Sequence, residues 1–234
     1  MFTNPICVAL DTPDAARAAQ LARTLRGRVG LVKVGMEQFY AQGREGYARV
    51  AAEGVPVFLD LKLHDIPNTV AQGLTSLLSL KPAPAIVNVH ASGGPAMLEA
   101  AARAVDGRAK LIAVTVLTSL SDADIHAAGY DPAAGTAATA LTMARLSQDC
   151  GLDGVVCSPH DIAAIKDACG ADFLTVVPGV RPAGADVQDQ KRIATPEAAR
   201  AAGADVLVIG RPITQAENPA AAADAIAASL GSAA

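Results

Sequence analysis

Apolar residues recur along the chain in eight short runs, and alanine-rich segments with helical spacing separate these runs. Each run is short and rich in residues that favour strands. The predicted strands span residues 6–10, 31–36, 57–63, 85–89, 111–117, 154–157, 173–177 and 206–209. Strand alternating with helix eight times predicts an α/β protein with a (β/α)8 TIM barrel, formed by residues 1–234 as a single domain.

Several of the predicted helices have recognisable starts. A capping residue with proline precedes them at Thr12-Pro13-Asp14, Thr195-Pro196-Glu197 and Asn218-Pro219. A doubly wound sheet is the competing architecture, but it usually carries the spacing G-x-G-x-x-G after its first strand. That spacing does not occur among the 20 glycines, so the pattern favours the barrel.

Composition narrows the classes of protein that fit the chain. Apolar residues make up 51% of it and charged residues 18%, which is ample for a sizeable core. A net charge of -4 with scattered basic residues predicts no binding of nucleic acid. No apolar run approaches about 18 residues and the N-terminus has no signal-peptide pattern, so we expect no membrane span and a cytoplasmic location. The four cysteines form no C-x-x-C pair, which argues against a disulfide framework or a zinc site.

The third predicted strand carries an unusual set of charges. Asp60 and Lys62 interrupt its apolar run two positions apart, so both side chains lie on the same side of the strand, and Asp65 follows in the loop. Ions are rarely buried without a partner or a purpose. A salt bridge that closes the strand end is the structural alternative to a catalytic role.

The pattern Asp60-x-Lys62-x-x-Asp65-Ile66-x-Asn68-Thr69 resembles the signature of the orotidine 5'-monophosphate decarboxylase family. Other residues fall in the family's order along essentially the whole chain: Asp11, Lys33, Thr118, Arg181, Gln190, Gly210 and Arg211. The resemblance implies that the chain converts orotidine 5'-monophosphate to UMP in de novo pyrimidine biosynthesis. It also implies a homodimer with shared active sites, and neither a cofactor nor a metal ion.

The resemblance further implies a role for each of these residues. The catalytic group would be an alternating array of charges, namely Lys33, Asp60, Lys62 and Asp65. Within it Lys62 would stabilise the C6 carbanion and protonate it, Asp60 would lie against the substrate carboxylate, and Asp65 would come from the partner subunit. The groups that contact the ribose would be Asp11, Lys33 and the partner's Thr69, while Thr118 would contact the pyrimidine.

The loops after the last two predicted strands are candidates for binding phosphate. Gly210 lets a backbone approach an anion and Arg211 supplies a guanidinium group, at the place where TIM barrels commonly bind phosphate. The alternative for this segment is a glycine-proline turn with an exposed arginine. By resemblance, Gln190 bridges a closed loop to the phosphate and the pyrimidine, and Arg181 contributes at the base of that loop.

Two other functions share part of the pattern. Metal-dependent keto-sugar-phosphate decarboxylases and hexulose phosphate synthases of the same superfamily also have Asp-x-Lys-x-x-Asp, but with an acidic metal ligand where this chain has Lys33. A non-catalytic sensor of phosphate ligands is the third candidate, and the intact Asp60, Lys62 and Asp65 argue against it. His90 and His160 are expected to bond neighbouring loops and not a metal ion, and His64 has no assigned chemistry.

Overall fold

Eight parallel strands close into a barrel in the computed structural model, which describes residues 3–182 and 194–231. Each strand pairs with the next one along the chain, and β8 pairs with β1. The strands are β1 Ile6–Ala9, β2 Leu31–Gly35, β3 Val57–Leu63, β4 Ile86–His90, β5 Lys110–Val114, β6 Gly154–Val156, β7 Leu174–Val177 and β8 Val206–Ile209. The predicted (β/α)8 barrel is therefore confirmed. The fifth strand ends before residue 117, where Leu117 is already 38% exposed and has left the barrel wall.

Helices surround the barrel and follow the strands. In the described part of the chain they are α1 Ala15–Leu25, α2 Met36–Ala51, α3 Pro67–Leu78, α4 Gly94–Val105, α5 Asp122–Ala127, α6 Thr136–Asp149, α7 Ile162–Cys169, α8 Pro196–Ala201, α9 Arg211–Thr214 and α10 Pro219–Gly231. None of these helices combines the length and apolarity needed to cross a membrane.

The predicted caps of two helices are confirmed, and the third is displaced. Thr195 accepts a hydrogen bond from the Ala198 N–H at the start of α8, and Asn218 caps α10. At α1 the capping residue is Asp14, whose carboxylate accepts from two backbone N–H groups of the first turn. The prediction that Thr12 caps this helix is wrong because the helix begins only at Ala15.

The strands point alternate side chains into the barrel and outward against the helices. A separate apolar cluster fills the interior: Cys7, Ala9, Leu31, Phe58, Ile86, Ile112, Val176, Val206 and Val208. Two positions beyond members of this cluster, on the same side of each chain, come Asp11, Lys33 and Asp60. The interior therefore changes from apolar to charged at the carboxyl end of the first three strands.

The end of β3 departs from regular strand geometry. Leu59 pairs with Val87 and Leu63 pairs with Val89, so β3 advances four residues while β4 advances two. Lys62 lies inside this bulge with a φ of 51°, a left-handed backbone conformation that residues other than glycine rarely adopt. Such bulges redirect side chains and often occur beside active sites. This bulge sets the direction in which Lys62 leaves the strand.

Candidate active site

Four charged side chains of alternating sign lie in a row at the carboxyl end of the barrel. Asp11 Oδ1 is 3.2 Å from Lys33 Nζ, which is 3.4 Å from Asp60 Oδ2. On the other side of the same carboxylate, Asp60 Oδ1 is 2.6 Å from Lys62 Nζ. The two side chains in the middle of the row, Lys33 and Asp60, are each 11% exposed. The predicted proximity of Asp60 and Lys62 is therefore present, and Lys33 and Asp11 join them.

Opposite charges keep the two buried members of the row ionised. Burial opposes the charge of Asp60, but Lys33 and Lys62, with hydrogen bonds from Lys62 and Asn88, hold the pKa of this carboxyl below its usual value. Burial also opposes the charge of Lys33, yet the carboxylates of Asp60 and Asp11 raise the pKa of its ammonium group above its usual value. The row thus presents fixed charges to whatever binds above it.

The row lines a cavity of about 820 Å³ that opens at the carboxyl ends of the strands. Its wall includes most of the predicted binding residues: Asp11, Lys33, Asp60, Lys62, Thr118, Arg181, Gly210 and Arg211. Apolar side chains such as Met36, Phe58 and Leu117 complete the wall beside these charges. Its size is typical of a small-molecule site, and its position is that of active sites in TIM barrels.

The cationic residues after β7 and β8 lie on one side of this cavity. Arg181 is 9% exposed, and its guanidinium donates a 3.0 Å hydrogen bond to the Val180 carbonyl. The Arg181 backbone N–H bonds the Ala194 carbonyl at 3.0 Å, so the two ends of the intervening segment meet at the cavity rim. Gln190 lies in that segment, outside the described residues. A Cβ atom on Gly210 would lie 3.9 Å from Asp11 Oδ2, so sterics alone do not require glycine there.

Asp65 and Thr69 stand apart from the row of charges within one chain. Both are exposed, and the Asp65 carboxylate accepts a 2.7 Å hydrogen bond from the Ile66 N–H instead of meeting Lys62. Ile66, at φ -58° and ψ 152°, is extended as expected for a residue before proline, and it is 66% exposed. The loop therefore exposes an acidic group and an apolar side chain to solvent.

Sequence reasoning missed Asn88, which forms a hydrogen bond with each of Asp60 and Lys62. Its carboxamide is fully buried in β4; the Nδ2 group donates to Asp60 Oδ1 at 2.7 Å, and Oδ1 accepts from the Lys62 N–H at 2.8 Å. The available signal was a polar residue in the middle of an otherwise apolar strand run, which requires buried partners. Gly35, also overlooked, faces Lys33 and Asp11.

The histidines near the site form local contacts. His64 and His90 stack with ring centroids 5.4 Å apart, and His90 Nδ1 lies 2.7 Å from Ser92 Oγ. Burial, followed by the electrostatic influence of the neighbouring His64 and Lys62, lowers the pKa of His90. His160 is exposed on the surface. Within residues 3–182 and 194–231 no three histidine, cysteine, aspartate or glutamate side chains form a cluster suited to a metal ion.

A second cavity, of about 800 Å³, opens at the opposite end of the barrel. It lies at the amino ends of β5, β6 and β7 and is lined by Lys110 and Asp153, which form an ion pair of 2.6 Å. Residues at this end of a TIM barrel generally serve stability, and catalytic groups come from the other end. The cavity with the row of charges is therefore the candidate active site.

Comparisons with known proteins identify the family of the chain. Residues 4–226 match the model of the orotidine 5'-phosphate decarboxylase / HUMPS family. An orotidine 5'-phosphate decarboxylase of Novosphingobium aromaticivorans is 52% identical over 194 residues, covering 83% of this chain and 84% of the relative. One from Paramagnetospirillum magneticum is 50% identical over 200 residues, covering 82% and 83% of the two chains. The crystal structure of orotidine 5'-phosphate decarboxylase from Lactobacillus acidophilus superimposes with a TM-score of 0.84 at 36% identity, covering 97% of this chain and 99% of the other. This chain belongs to the orotidine 5'-phosphate decarboxylase / HUMPS family.

Proposed function

We propose that this protein is an orotidine 5'-phosphate decarboxylase, which converts orotidine 5'-monophosphate to UMP and carbon dioxide in pyrimidine biosynthesis. The observation that carries the proposal is the row Asp11–Lys33–Asp60–Lys62, which lines the cavity at the carboxyl ends of the strands. Family membership and relatives of this name at about half identity support it. A family can contain several activities on one fold, so the site has to fit the reaction as well.

The reaction demands stabilisation of negative charge on carbon. When the bond between C6 of the pyrimidine and the carboxyl carbon breaks, its electron pair stays on C6 and carbon dioxide leaves. Lys62 Nζ supplies the positive charge next to this carbanion and then transfers a proton to C6. The 2.6 Å contact with Asp60 holds the ammonium group in place before the substrate arrives. A protein with this row thus performs the reaction with its own fixed charges.

Asp60 and Lys33 have complementary parts in this scheme. Asp60 lies against the substrate carboxylate, a contact between like charges that is relieved when carbon dioxide departs. Lys33, between Asp60 and Asp11, keeps that carboxylate charged and, with Asp11, binds the ribose hydroxyls. These contacts fix the ring relative to Lys62, so they contribute through orientation.

The phosphate of the substrate is assigned to the loops after β7 and β8. Arg211 and Arg181 provide guanidinium groups on that side of the cavity, next to the backbone at Gly210. By the family resemblance, Thr118 is assigned to the pyrimidine, and Gln190, outside the described residues, is assigned to the phosphate and the ring. Binding energy at a remote phosphate can be used to order the site around the reacting atoms. Phosphate contacts are therefore expected to affect turnover as well as affinity.

Each active site is completed by a second copy of the chain, in a homodimer. The proposal rests on the loop after β3, where Asp65 and Ile66 are exposed and do not line their own cavity. In a two-fold dimer each loop would enter the partner's site reciprocally. Asp65 would then add the fifth charge of the row beside Lys62, and Thr69 would reach the ribose.

A metal-dependent reaction of the same family is the competing function. By the resemblance, such relatives carry an acidic metal ligand in the second strand, where this chain places the ammonium group of Lys33 between two carboxylates. In this chain the Lys33 ammonium group thus supplies positive charge where such relatives would bind a divalent ion. This arrangement favours the decarboxylation of orotidylate.

An absorbance assay tests the proposed function. Purified protein is mixed with orotidine 5'-monophosphate and excess chelator, the ultraviolet absorbance of the substrate is followed, and the product is identified by chromatography. We expect UMP to form at the same rate with and without chelator. Absence of UMP would contradict the proposal, and activity lost in chelator but restored by magnesium would favour the metal-dependent relative.

A further inference from the structure

Asn88 occupies a position that demands two opposite hydrogen-bonding groups at once. On one side the Lys62 N–H, inside the bulge of β3, needs an acceptor; on the other the Asp60 carboxylate takes a donor. A carboxamide supplies both, and these partners fix which end of the amide is oxygen and which is nitrogen. Asn88 is fully buried, so a carboxamide group that lost these partners would find no water to replace them.

These bonds complete a closed ring of contacts around the reactive lysine. Asp60 Oδ1 accepts hydrogen bonds from both Asn88 Nδ2, at 2.7 Å, and Lys62 Nζ, at 2.6 Å. The Lys62 backbone returns to Asn88 through the 2.8 Å bond from its N–H. The ammonium group of Lys62, through Asp60, and the backbone of Lys62, directly, are thus both held by one amide on the neighbouring strand.

The ring explains how a strained backbone persists at Lys62. Its φ of 51° is unfavourable for a residue with a side chain, and such conformations persist where surrounding contacts determine them. Without the acceptor at Asn88, the Lys62 N–H would be buried in a bulge that offers no regular ladder partner. Relaxation of φ would swing the lysine side chain away from its present direction.

We propose that Asn88 is a positioning residue for the reaction: its carboxamide holds the left-handed backbone of Lys62 and the carboxylate of Asp60 in one frame. It acts through these two residues and does not itself touch the substrate. The kinetic part of this inference rests on the proposed function. Its consequence is specific: changes at Asn88 lower turnover and leave phosphate-dependent binding almost intact.

Two substitutions separate positioning from simple packing. Asn88→Leu keeps the number and branching of the side-chain heavy atoms and removes both hydrogen bonds, so kcat should fall by about a hundredfold while the affinity for UMP changes by less than about threefold. Asn88→Asp keeps both bonds only when the new carboxyl is protonated, because an ionised group offers no donor and repels Asp60. Its kcat relative to wild type should rise at least about tenfold from about pH 8 to about pH 5.

Thr175→Val is the matched control. Thr175 is also a fully buried polar residue of a barrel strand, and its hydroxyl bonds Gly203 and Asp205 at the far end from the active site. This change should lower the thermal unfolding temperature without altering kcat or its pH profile. Both Asn88 variants are compared with it at equal fraction folded, as judged by circular dichroism.

Kinetics at saturating substrate and hydrogen exchange of the Lys62 amide, followed by NMR, decide the matter. Folded Asn88 variants with kcat within about twofold of wild type, or an Asn88→Asp variant with the wild-type pH profile, would overturn the proposal. A wild-type protein that makes no UMP would instead overturn the proposed function. In that case protection of the Lys62 amide still tests the positioning: its loss in Asn88→Leu supports the role, and retained protection refutes it.

Discussion

The Nζ atom of Lys33 lies only 3.1 Å from the place that a Cβ atom would take on Gly35. Asp11 Oδ1 is 3.5 Å from the same point. The backbone of Gly35, at φ -93° and ψ -176°, is extended and open to any residue, so the reason for glycine is space and not conformation. The absence of a side chain lets Lys33 reach both Asp11 and Asp60.

Gly35→Ala should therefore impair the site without unfolding the barrel. The added methyl group would displace the Lys33 ammonium by a few tenths of an ångström from its two carboxylates. We expect kcat/KM to fall about tenfold, or about 1.4 kcal/mol, as measured by steady-state kinetics. Gly231→Ala, at the end of α10 where nothing lies within 4 Å, serves as the control. Equal kinetics for the two variants would contradict this account of Gly35.

The barrel was predictable because its strands are buried on both faces and read as continuous apolar runs. The period of a strand predicted that Asp60 and Lys62 lie close together, since side chains two positions apart share a side, and their contact is present although the strand is bulged there. The bulge at Lys62 could not be read in this way, because it depends on Asn88, which is 26 residues further along the chain. Local patterns predict elements, whereas contacts between strands decide how a single side chain leaves them.

The cap of α1 and the loop after β3 also show that local sequence patterns do not determine contacts between distant parts of the chain. Thr12 and Asp14 both resemble capping residues, and only the observed start of the helix at Ala15 distinguishes them. The extended conformation of Ile66 was predictable from Pro67, since proline restricts the residue before it. Where that loop points depends on packing around the barrel, and what it meets depends on a second chain.

Lys62→Ala should nearly abolish turnover and preserve the fold. The change removes the proton donor and leaves Asp60 with one ammonium partner in place of two. We expect kcat to fall about a thousandfold or more in the absorbance assay. Lys110→Ala is a matched control, because Lys110 forms an ion pair of the same 2.6 Å length with Asp153 at the other end of the barrel. A folded Lys62→Ala variant that kept over about a tenth of wild-type turnover would refute the assigned role.

The row of charges should also make the stability of the protein depend on pH. Because the pKa of Asp60 is lowered by folding, its charge stabilises the native state above the ordinary pKa of 3.8, and this contribution is lost as the pH falls through the lowered value. The difference in unfolding free energy between wild type and Asp60→Asn should therefore be constant near neutral pH and shrink below 3.8. Urea unfolding across this range measures it. A difference that grew on acidification would contradict the direction of the pKa shift.

The shared active site predicts that two inactive variants restore each other. In a mixed dimer of Lys62→Ala and Asp65→Ala, one site would carry both substitutions and the other would carry neither. Random exchange of equal amounts should therefore regenerate about a quarter of wild-type activity, since half the dimers are mixed and half their sites are intact. Activity is measured after exchange has been verified by native mass spectrometry of differently tagged chains.

Mixing Lys62→Ala with Asp60→Ala provides the control for this experiment. Asp60 and Lys62 meet within one chain at 2.6 Å, so every site of that mixed dimer contains one substitution and none is intact. This pair should stay inactive while the Lys62 and Asp65 pair recovers. If exchange occurs and neither mixture recovers, Asp65 acts within its own chain, and the exposed loop after β3 does not complete a partner's site.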